Sequence, residues 1–447
     1  YQGVRPEVRN LAALFIPAAN KVAVFADAFP PEAVQPALAA YPVVLSKSLG
    51  LPSQVMEYVG EDRNNFAPRF GLAYKLRRST VLRAGAGLYW NQLNLNYMQS
   101  AEMTLPFLVA ATFEQPAGSV PSITMNNPFP GNGSVPANPS ASAFGHLATP
   151  YNLQWNATVE HELFHALAVR LSYVGQRNVR QLGNPNINQP LPSPGAVQPN
   201  RPYQPFAGIT RANSPIFQSS SNQLQAGVER RYNNGLLLTA QYQFSRVLGV
   251  ESFMSPANYN DSRGNLGGLR RHVLVASYVY DLPFGKGKPL LKNLSPWMNL
   301  IAGGWQFSGI AQALSGAPFS PSFDTSVVGS VGGRPNVVAG SSLYPGERAL
   351  LQYFNPAAFS VPASFTYGNA SYNLLWGPGQ WTWDMSLAKH TALQERVNLE
   401  LRLDAFSAFN HPTFGNPNAN ITNTAAVGRI TSAGGGRSVQ IGARLTF

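Results

Sequence analysis

The last nine residues of the chain read Val439-Gln440-Ile441-Gly442-Ala443-Arg444-Leu445-Thr446-Phe447. Apolar residues occupy every odd position, and polar residues or glycine occupy every even one. Successive side chains of a strand point to opposite faces, so this alternation gives one apolar and one polar face. A tilted strand of about nine to eleven residues crosses a bilayer core, and a terminal aromatic residue suits the membrane interface. The segment therefore predicts a membrane-crossing strand, with an assembly signal formed by Val439, Ile441, Leu445 and Phe447.

Similar alternation recurs along the chain from residue 66 onward. The predicted strands cover residues 66–76, 80–91, 153–163, 167–175, 223–231, 236–245, 272–282, 304–314, 382–389, 397–405 and 439–447. The sequence therefore predicts an all-β fold, a transmembrane antiparallel β-barrel with about eleven strands visible in this chain.

Short turns alternate with long loops rich in Pro, Asn, Gly and Ser. Asn233-Asn234-Gly235 is the strongest turn signal, because Asn-Gly tolerates the positive φ of a two-residue hairpin. Long loops without structure are uncommon in compact soluble domains, whereas outer-membrane barrels have short turns on one rim and long extracellular loops on the other. We expect residues 1–64 to be an irregular, loop-rich segment and residues 65–447 to be barrel, with no plug domain in this chain.

The alternation assigns the two faces of each predicted strand. In the strand at 397–405, leucine and valine alternate with Asn398, Glu400, Arg402 and Asp404. The apolar set would face lipid and the polar set a wet lumen. The expected lumen-facing charges are Arg170, Glu400, Arg402, Asp404 and Arg444. A soluble two-sheet sandwich with one polar face would show the same alternation.

Composition narrows the function classes. No apolar run is long enough for a spanning helix, and the chain has no cysteine. The net charge is +12, but the basic residues are scattered, so we expect no nucleic-acid partner. The six histidines and the strand carboxylates form no recognisable catalytic or metal-binding pattern. We therefore expect no enzyme activity, no metal and no cofactor.

Several segments resemble a known family. These are RNNFAPRFGLAY at 63–74, LRAGAGLYWN at 82–91, YVYDLPFG at 278–285, GGWQFSG at 303–309, FSAFNHP at 406–412 and RLTF at 444–447. They resemble barrel segments of TonB-dependent outer-membrane receptors, in particular the acidobacterial type that carries an N-terminal carboxypeptidase-regulatory-like domain. The likeness runs from about residue 61 to the last residue and marks the barrel rather than its solute.

The resemblance implies a function and partners. Such receptors have about 22 strands around a plug, so we expect this chain to be the C-terminal half of a longer receptor. Its plug and remaining strands would come from upstream sequence or another chain. The resemblance implies import of a bulky nutrient, such as an oligosaccharide or metal chelate, with energy from the TonB system. Outer-membrane lipid and the barrel-assembly machinery are the other expected partners, and the bacterial outer membrane is the expected location.

A ligand site, if present, is expected among the long loops. Aromatic side chains there could stack on sugar rings or other flat ligands; they are Tyr203, Phe206, Tyr259, Tyr344, Tyr353 and Tyr372. The same rings could instead pack the loops onto themselves. Two other functions remain open at this point: a porin or surface-structural barrel without a plug, and a soluble all-β binding protein.

Overall fold

The computed structural model describes residues 11–91, 96–109, 123–127, 136–145, 148–164, 166–255, 258–324, 333–394 and 396–447. The strands of the first half are β1 (Ala13–Ile16), β2 (Lys21–Val24), β3 (Val43–Leu45), β4 (Arg69–Arg77), β5 (Thr80–Trp90), β6 (Ser140–Phe144), β7 (Tyr151–Phe164), β8 (Leu167–Gly183), β9 (Gly208–Ala212), β10 (Ser214–Asn233) and β11 (Leu236–Val250). Those of the second half are β12 (Arg263–Asn265), β13 (His272–Asp281), β14 (Trp305–Leu314), β15 (Pro318–Phe319), β16 (Asn336–Val337), β17 (Phe359–Ser360), β18 (Leu375–Trp376), β19 (Gln380–Gln394), β20 (Val397–Phe406), β21 (Thr413–Phe414), β22 (Ala433–Gly434) and β23 (Ser438–Thr446).

Helices are few and short in the described part of the chain. The α-helices are α1 (Gln35–Ala40), α2 (Val55–Val59), α3 (Asn96–Glu102) and α4 (Pro296–Ala302), and single 3₁₀ turns cover Ser46–Leu49, Gln198–Asn200, Tyr259–Ser262 and Pro356–Ala358. Within the ranges given above, no helix combines the length and the apolar character that crossing a bilayer requires.

Eleven long strands form one antiparallel sheet, which we call the wall. Its order is β4-β5-β7-β8-β10-β11-β13-β14-β19-β20-β23, and the short β12 adds to β11 as a twelfth strand. The prediction of an all-β antiparallel fold is confirmed, and each of the eleven predicted strands is present. β8 and β10 are longer than predicted, because their ends carry polar residues without apolar alternation and pair with each other beyond the alternating region.

Pairing between neighbouring strands aligns their side chains into two continuous faces of the wall. On one side Leu72 pairs with Ala84, Ala84 with Ala157, and Ala157 with Tyr173. The row continues through Leu224 and Phe244. We call this side the apolar face. On the other side Glu160 pairs with Arg170, Arg170 with Gly227, and Gly227 with Gln241. We call this side the polar face.

The apolar face is open to its surroundings. Phe70 is 76% exposed and Ile441 is 82% exposed, and many other large apolar side chains of the wall are exposed with them. Contiguous apolar surface of this kind is rare on soluble monomers. It is the surface that a barrel presents to lipid.

Two glycines of the wall lie beneath aromatic rings of neighbouring strands. A Cβ added to Gly175 of β8 would stand 2.1 Å from the indole of Trp155 on β7. A Cβ added to Gly309 of β14 would stand 2.7 Å from the Tyr278 hydroxyl. Both rings belong to the apolar face, so the missing side chains let them lie flat against it.

Turns at one edge of the wall, the short-turn rim, are tight. Four of its five connections have two residues between strands, at 78–79, 165–166, 234–235 and 395–396. Asn234 and Gly235 have φ values of 52° and 79°, so the Asn-Gly hairpin takes the type I′ form that the sequence predicts. The fifth connection, residues 282–304, contains α4.

At the opposite edge, the long-loop rim, the connections fold into two packed bodies. The first, the first loop domain, combines residues 11–60, 96–109, 136–145 and 184–212, where β1, β2 and β3 form a small sheet and β6 pairs with β9. Phe15, Leu105, Phe206 and Ile209 meet in its core. The expectation of an irregular segment at 1–64 is therefore wrong for residues 11–60. All four residues of β1 are buried, so no alternation marks it in the sequence.

The second loop domain combines residues 316–324, 333–379 and 411–437. Its core holds Phe319, Phe354, Phe359 and Leu375. The connection between β11 and β13 contacts both domains: Gln189 Nε2 donates to the Met254 carbonyl at 3.2 Å, and Asn265 and Asn373 exchange amide–carbonyl hydrogen bonds at 2.9 Å. The described parts of the long loops are thus held by contacts distant in sequence.

Candidate functional site

Amide side chains dominate the long-loop half of the polar face. Gln225 Nε2 donates to Gln223 Oε1 at 3.2 Å, and Gln223 Nε2 donates to Ser221 Oγ at 3.2 Å. Gln176 Nε2 donates to Asn178 Oδ1 at 2.7 Å. Each amide keeps donor or acceptor capacity beyond these bonds. This surface can therefore exchange hydrogen bonds with hydroxyl and carbonyl groups of a passing solute.

A group of charges lies in the short-turn half of the same face, on β5, β7 and β8. Arg83 forms an ion pair with Glu160, which pairs across the strands with Arg170. The predicted lumen-facing residue Arg170 therefore stands beside an acidic neighbour that alternation alone did not identify.

The other predicted lumen-facing charges lie together on β20 and β23. Arg402 Nε donates to Asp404 Oδ1 at 2.8 Å and to Ser386 Oγ at 3.2 Å. Glu400 is directly opposite Arg444. All four residues lie on the polar face, where their charges are balanced locally rather than exposed as one sign.

A depression interrupts the polar face where β10 lacks a side chain. Gly227 lies between Arg170 and Gln241, and the cavity of about 410 Å³ there is also lined by Gln225, Thr239 and Gln243. One guanidinium and several neutral polar groups converge on it. The depression can accept a polar group of a ligand.

The structure separates the six predicted loop aromatics. Phe206 is fully buried, and its ring packs edge-on against Phe15 at a centroid distance of 5.2 Å. Its burial does not allow ring stacking on a ligand. Tyr203 is half-buried beside the same Phe15 ring. Tyr259 packs against Phe253 at 5.0 Å, and Tyr372 is half-buried near β12.

Tyr344 and Tyr353 are brought together by an arginine. The Arg348 guanidinium lies 3.8 Å from the Tyr344 ring centroid and 5.5 Å from the Tyr353 ring centroid. Burial raises the pKa of the Tyr344 hydroxyl, which accepts a hydrogen bond from the Trp376 amide at 2.6 Å. Trp376 in turn stacks under Arg271 at 4.4 Å. Sequence reasoning missed both arginines, and no local signal marks them, because each meets its aromatic partners through the fold.

Metal-binding geometry is absent from the described residues: no three His, Asp or Glu side chains are grouped so that they could hold one ion.

A family model described as "Outer membrane beta barrel domain" matches residues 3–440, nearly the whole chain. The chain belongs to this family. The protein is therefore located in the bacterial outer membrane, and the wall is barrel wall with its apolar face toward lipid. The soluble alternative is overturned by this match. No curated protein matches the chain.

Solved structures resemble the chain at low identity. One is the outer membrane transporter YddB from Escherichia coli, with 11% identity and a TM-score of 0.44 over 86% of this chain and 40% of that one. Another is the ferripyoverdine receptor of the outer membrane of Pseudomonas aeruginosa, with 10% identity and a TM-score of 0.43 over 86% and 33%. A third is BauA, the ferric preacinetobactin receptor from Acinetobacter baumannii, with 10% and 0.41 over 85% and 36%. The chain spans less than half the length of each.

Proposed function

We propose that this chain supplies wall and outer loops to an active outer-membrane transporter that imports a bulky nutrient, either an oligosaccharide or a metal chelate. The observation that carries the proposal is the polar face, which continues across eleven paired strands, with register shifts only near the strand ends. Family membership makes this face the inside of a barrel. Three neighbours are named as a transporter or as receptors for ferric ligands, and that role is extended to this chain as part of the proposal.

The distribution of polar groups supports a division of the lumen. Amides at the long-loop half suit a solute rich in hydroxyl and carbonyl groups, because they donate and accept with little net charge. The balanced charges at the short-turn half, such as Arg83 with Glu160, suit contacts to a plug supplied by further sequence or another chain. Energy then comes from the TonB system acting on that plug. The chain's own role is transport rather than catalysis.

The second loop domain is the proposed first contact for the solute. Tyr344 and Tyr372 keep partly exposed rings, and Arg348 adds a cation beside Tyr344. Tyr203 and Tyr259 are the corresponding candidates near the first loop domain. On the wall, Val439, Ile441, Leu445 and Phe447 are all exposed, which suits their proposed recognition by the barrel-assembly machinery.

A barrel without a plug, acting as a porin, is the competing function. The decisive experiment measures uptake of labelled oligosaccharides and ferric chelates by the native bacterium with the encoding gene intact, deleted or restored. We expect one bulky solute to enter only when both the gene and TonB are present. Uptake of many small solutes that continues without TonB would instead establish the porin.

Variants of the polar face then test the route. Gln225→Leu and Gln241→Leu remove amides beside the Gly227 depression, whereas Ala226→Leu changes the adjacent apolar-face position. We expect uptake to fall for the first two and to persist for the third, at equal amounts of folded protein. Equal uptake by all three variants would contradict a solute path along this face.

A further inference from the structure

One connection at the short-turn rim differs from the rest. Residues 282–304, which we call the rim segment, join β13 to β14, whereas the other four connections at this rim have two residues each. A two-residue turn is enough to join neighbouring antiparallel strands. The additional residues of the rim segment therefore do something other than connect the strands.

The rim segment exposes a dense group of large apolar side chains. They are Leu290, Leu291, Trp297, Met298, Leu300 and Ile301. α4 contributes four of them, and none of its residues is buried. Both loop domains, by contrast, pack large apolar side chains such as Phe15 and Phe354 into cores. Side chains exposed in this way on the rim need an apolar phase around them.

The same segment is basic. It contains Lys286, Lys288 and Lys292 and no Asp or Glu between residues 282 and 304. Lys288 lies 4.0 Å from Asp281, at the end of β13. Apolar side chains next to lysines are the composition of segments that lie at a membrane surface, where the lysines attract anionic headgroups.

Two side chains of the apolar face hold the end of the segment. Trp305 and Lys389 are paired neighbours on that face. The Trp305 indole donates to the Ile301 carbonyl at 2.8 Å. The buried ammonium of Lys389 donates to the Gly303 carbonyl and lies 5.6 Å from the Trp305 ring centroid. These contacts fix the C-terminal end of α4 on the lipid side of the wall.

A further hydrogen bond closes the segment on itself. Asn299 Oδ1 of α4 accepts from the Lys286 amide at 2.6 Å. This bond brings the first lysine next to the apolar helix, so the basic and apolar parts form one surface. That surface is continuous with the apolar face of the wall.

We propose that the rim segment is an interfacial anchor that lies in the membrane leaflet at the short-turn rim. Trp297, Leu300 and Ile301 occupy the boundary between acyl chains and headgroups, as aromatic and apolar side chains do at interfaces. Lys286 and Lys292 bind the phosphates of anionic phospholipid. The anchor sets the depth of β13 and β14 in the membrane.

The absence of cysteine from the chain permits a direct test. The full chain with Ile301→Cys carries one nitroxide label and is placed in bilayers of phosphatidylethanolamine and phosphatidylglycerol. Leu351→Cys is the matched control, because Leu351 is 73% exposed and Ile301 is 65% exposed, but Leu351 lies in the second loop domain. We expect the label at 301 to collide mainly with oxygen, which dissolves in lipid, and the label at 351 mainly with a water-soluble nickel chelate.

Equal access of nickel chelate to both labels would overturn the anchor, and so would a label at 301 that neither reagent reaches, since that result means a protein contact. Leu300→Cys provides a second position if Ile301→Cys fails to fold, as judged by heat-modifiable gel mobility. A triple variant with Lys286→Gln, Lys288→Gln and Lys292→Gln tests the headgroup contacts. We expect the label at 301 to become shallower when phosphatidylcholine replaces phosphatidylglycerol, and this shift to vanish in the triple variant. A depth that never depends on phosphatidylglycerol would overturn the lysine contacts.

Discussion

The wall and the loop domains use the same apolar residues in opposite ways. Phe70 of β4 is 76% exposed, whereas Phe354 of the second loop domain is fully buried. In the wall, hydrogen bonds between neighbouring strands set the structure and the apolar side chains face outward into lipid. In the loop domains, water surrounds the chain and apolar side chains must find each other. The contrast shows that one chain folds against two solvents.

Truncating a ring in a loop core should have the largest effect. Phe354 packs between Phe319 and Phe359 at centroid distances of 6.1 Å and 6.0 Å. We expect Phe354→Ala to destabilise the second loop domain by about 3–5 kcal/mol, measured as protease sensitivity in increasing urea. The control is Phe70→Ala, which removes a lipid-facing ring and should leave the loops protected. The contrast between the two environments fails if both variants behave alike.

A charge on the lipid side should cost almost as much. Ala240 and Gln241 are adjacent in β11 and lie on opposite faces. We expect Ala240→Arg to destabilise the protein folded in bilayers by about 2–4 kcal/mol, because it places a cation in hydrocarbon. Gln241→Arg should cost little, since its side chain meets water. Refolding titrations into lipid vesicles measure both; a larger loss for Gln241→Arg would reverse the assigned faces.

A substitution in the Asn234-Gly235 turn should act on the wall alone. Gly235 has a φ of 79°, and a Cβ there would stand 3.1 Å from the Asp281 carbonyl oxygen. We expect Gly235→Ala to cost about 1–2 kcal/mol, the penalty for an L-residue in the left-handed region. Asn234→Gly serves as control because glycine accepts the same φ. Vesicle refolding that is unaffected by Gly235→Ala would show that this turn does not limit the wall.

The smallest effect concerns alkaline pH and the second loop domain. Burial raises the pKa of Tyr344 above its ordinary value of 10.0, so the fold favours the neutral hydroxyl. The contribution of the neutral hydroxyl to folding stability is fully present below pH 10.0 and is lost as the pH rises through the pKa of Tyr344 in the folded state. We expect protease resistance of this domain to decline more steeply with alkaline pH in the unmodified chain than in Tyr344→Phe. Identical profiles would exclude Tyr344 as a contributor.

The wall could be predicted from sequence because lipid imposes a local rule. Each strand must alternate within itself, so β20 and β23 were located without knowing their neighbours, and Glu400 and Arg444 could be assigned to one face by parity. The ends of β8 and β10 lie beyond the alternating region and were missed, because strands there pair without apolar alternation.

The loop domains could not be predicted in this way. Their cores join residues far apart in sequence, such as Phe15, Leu105 and Phe206, and no periodicity announces such contacts. For the same reason, the sequence does not reveal that the ring of Phe206 is buried and that of Tyr344 is partly exposed. Candidate site residues can therefore be predicted from the sequence only where they lie on the wall.

The contact of Trp155 with Gly175 adds a constraint that alternation cannot supply. If β7 slid along β8 by two positions, every apolar side chain would stay on its own side, and lipid would not oppose the error. The indole would then meet Tyr173 or Arg177 instead of a bare backbone, with no space to lie flat. The glycine therefore selects the strand register: it leaves space for the indole in one alignment of the two strands and disfavours the nearest wrong alignments.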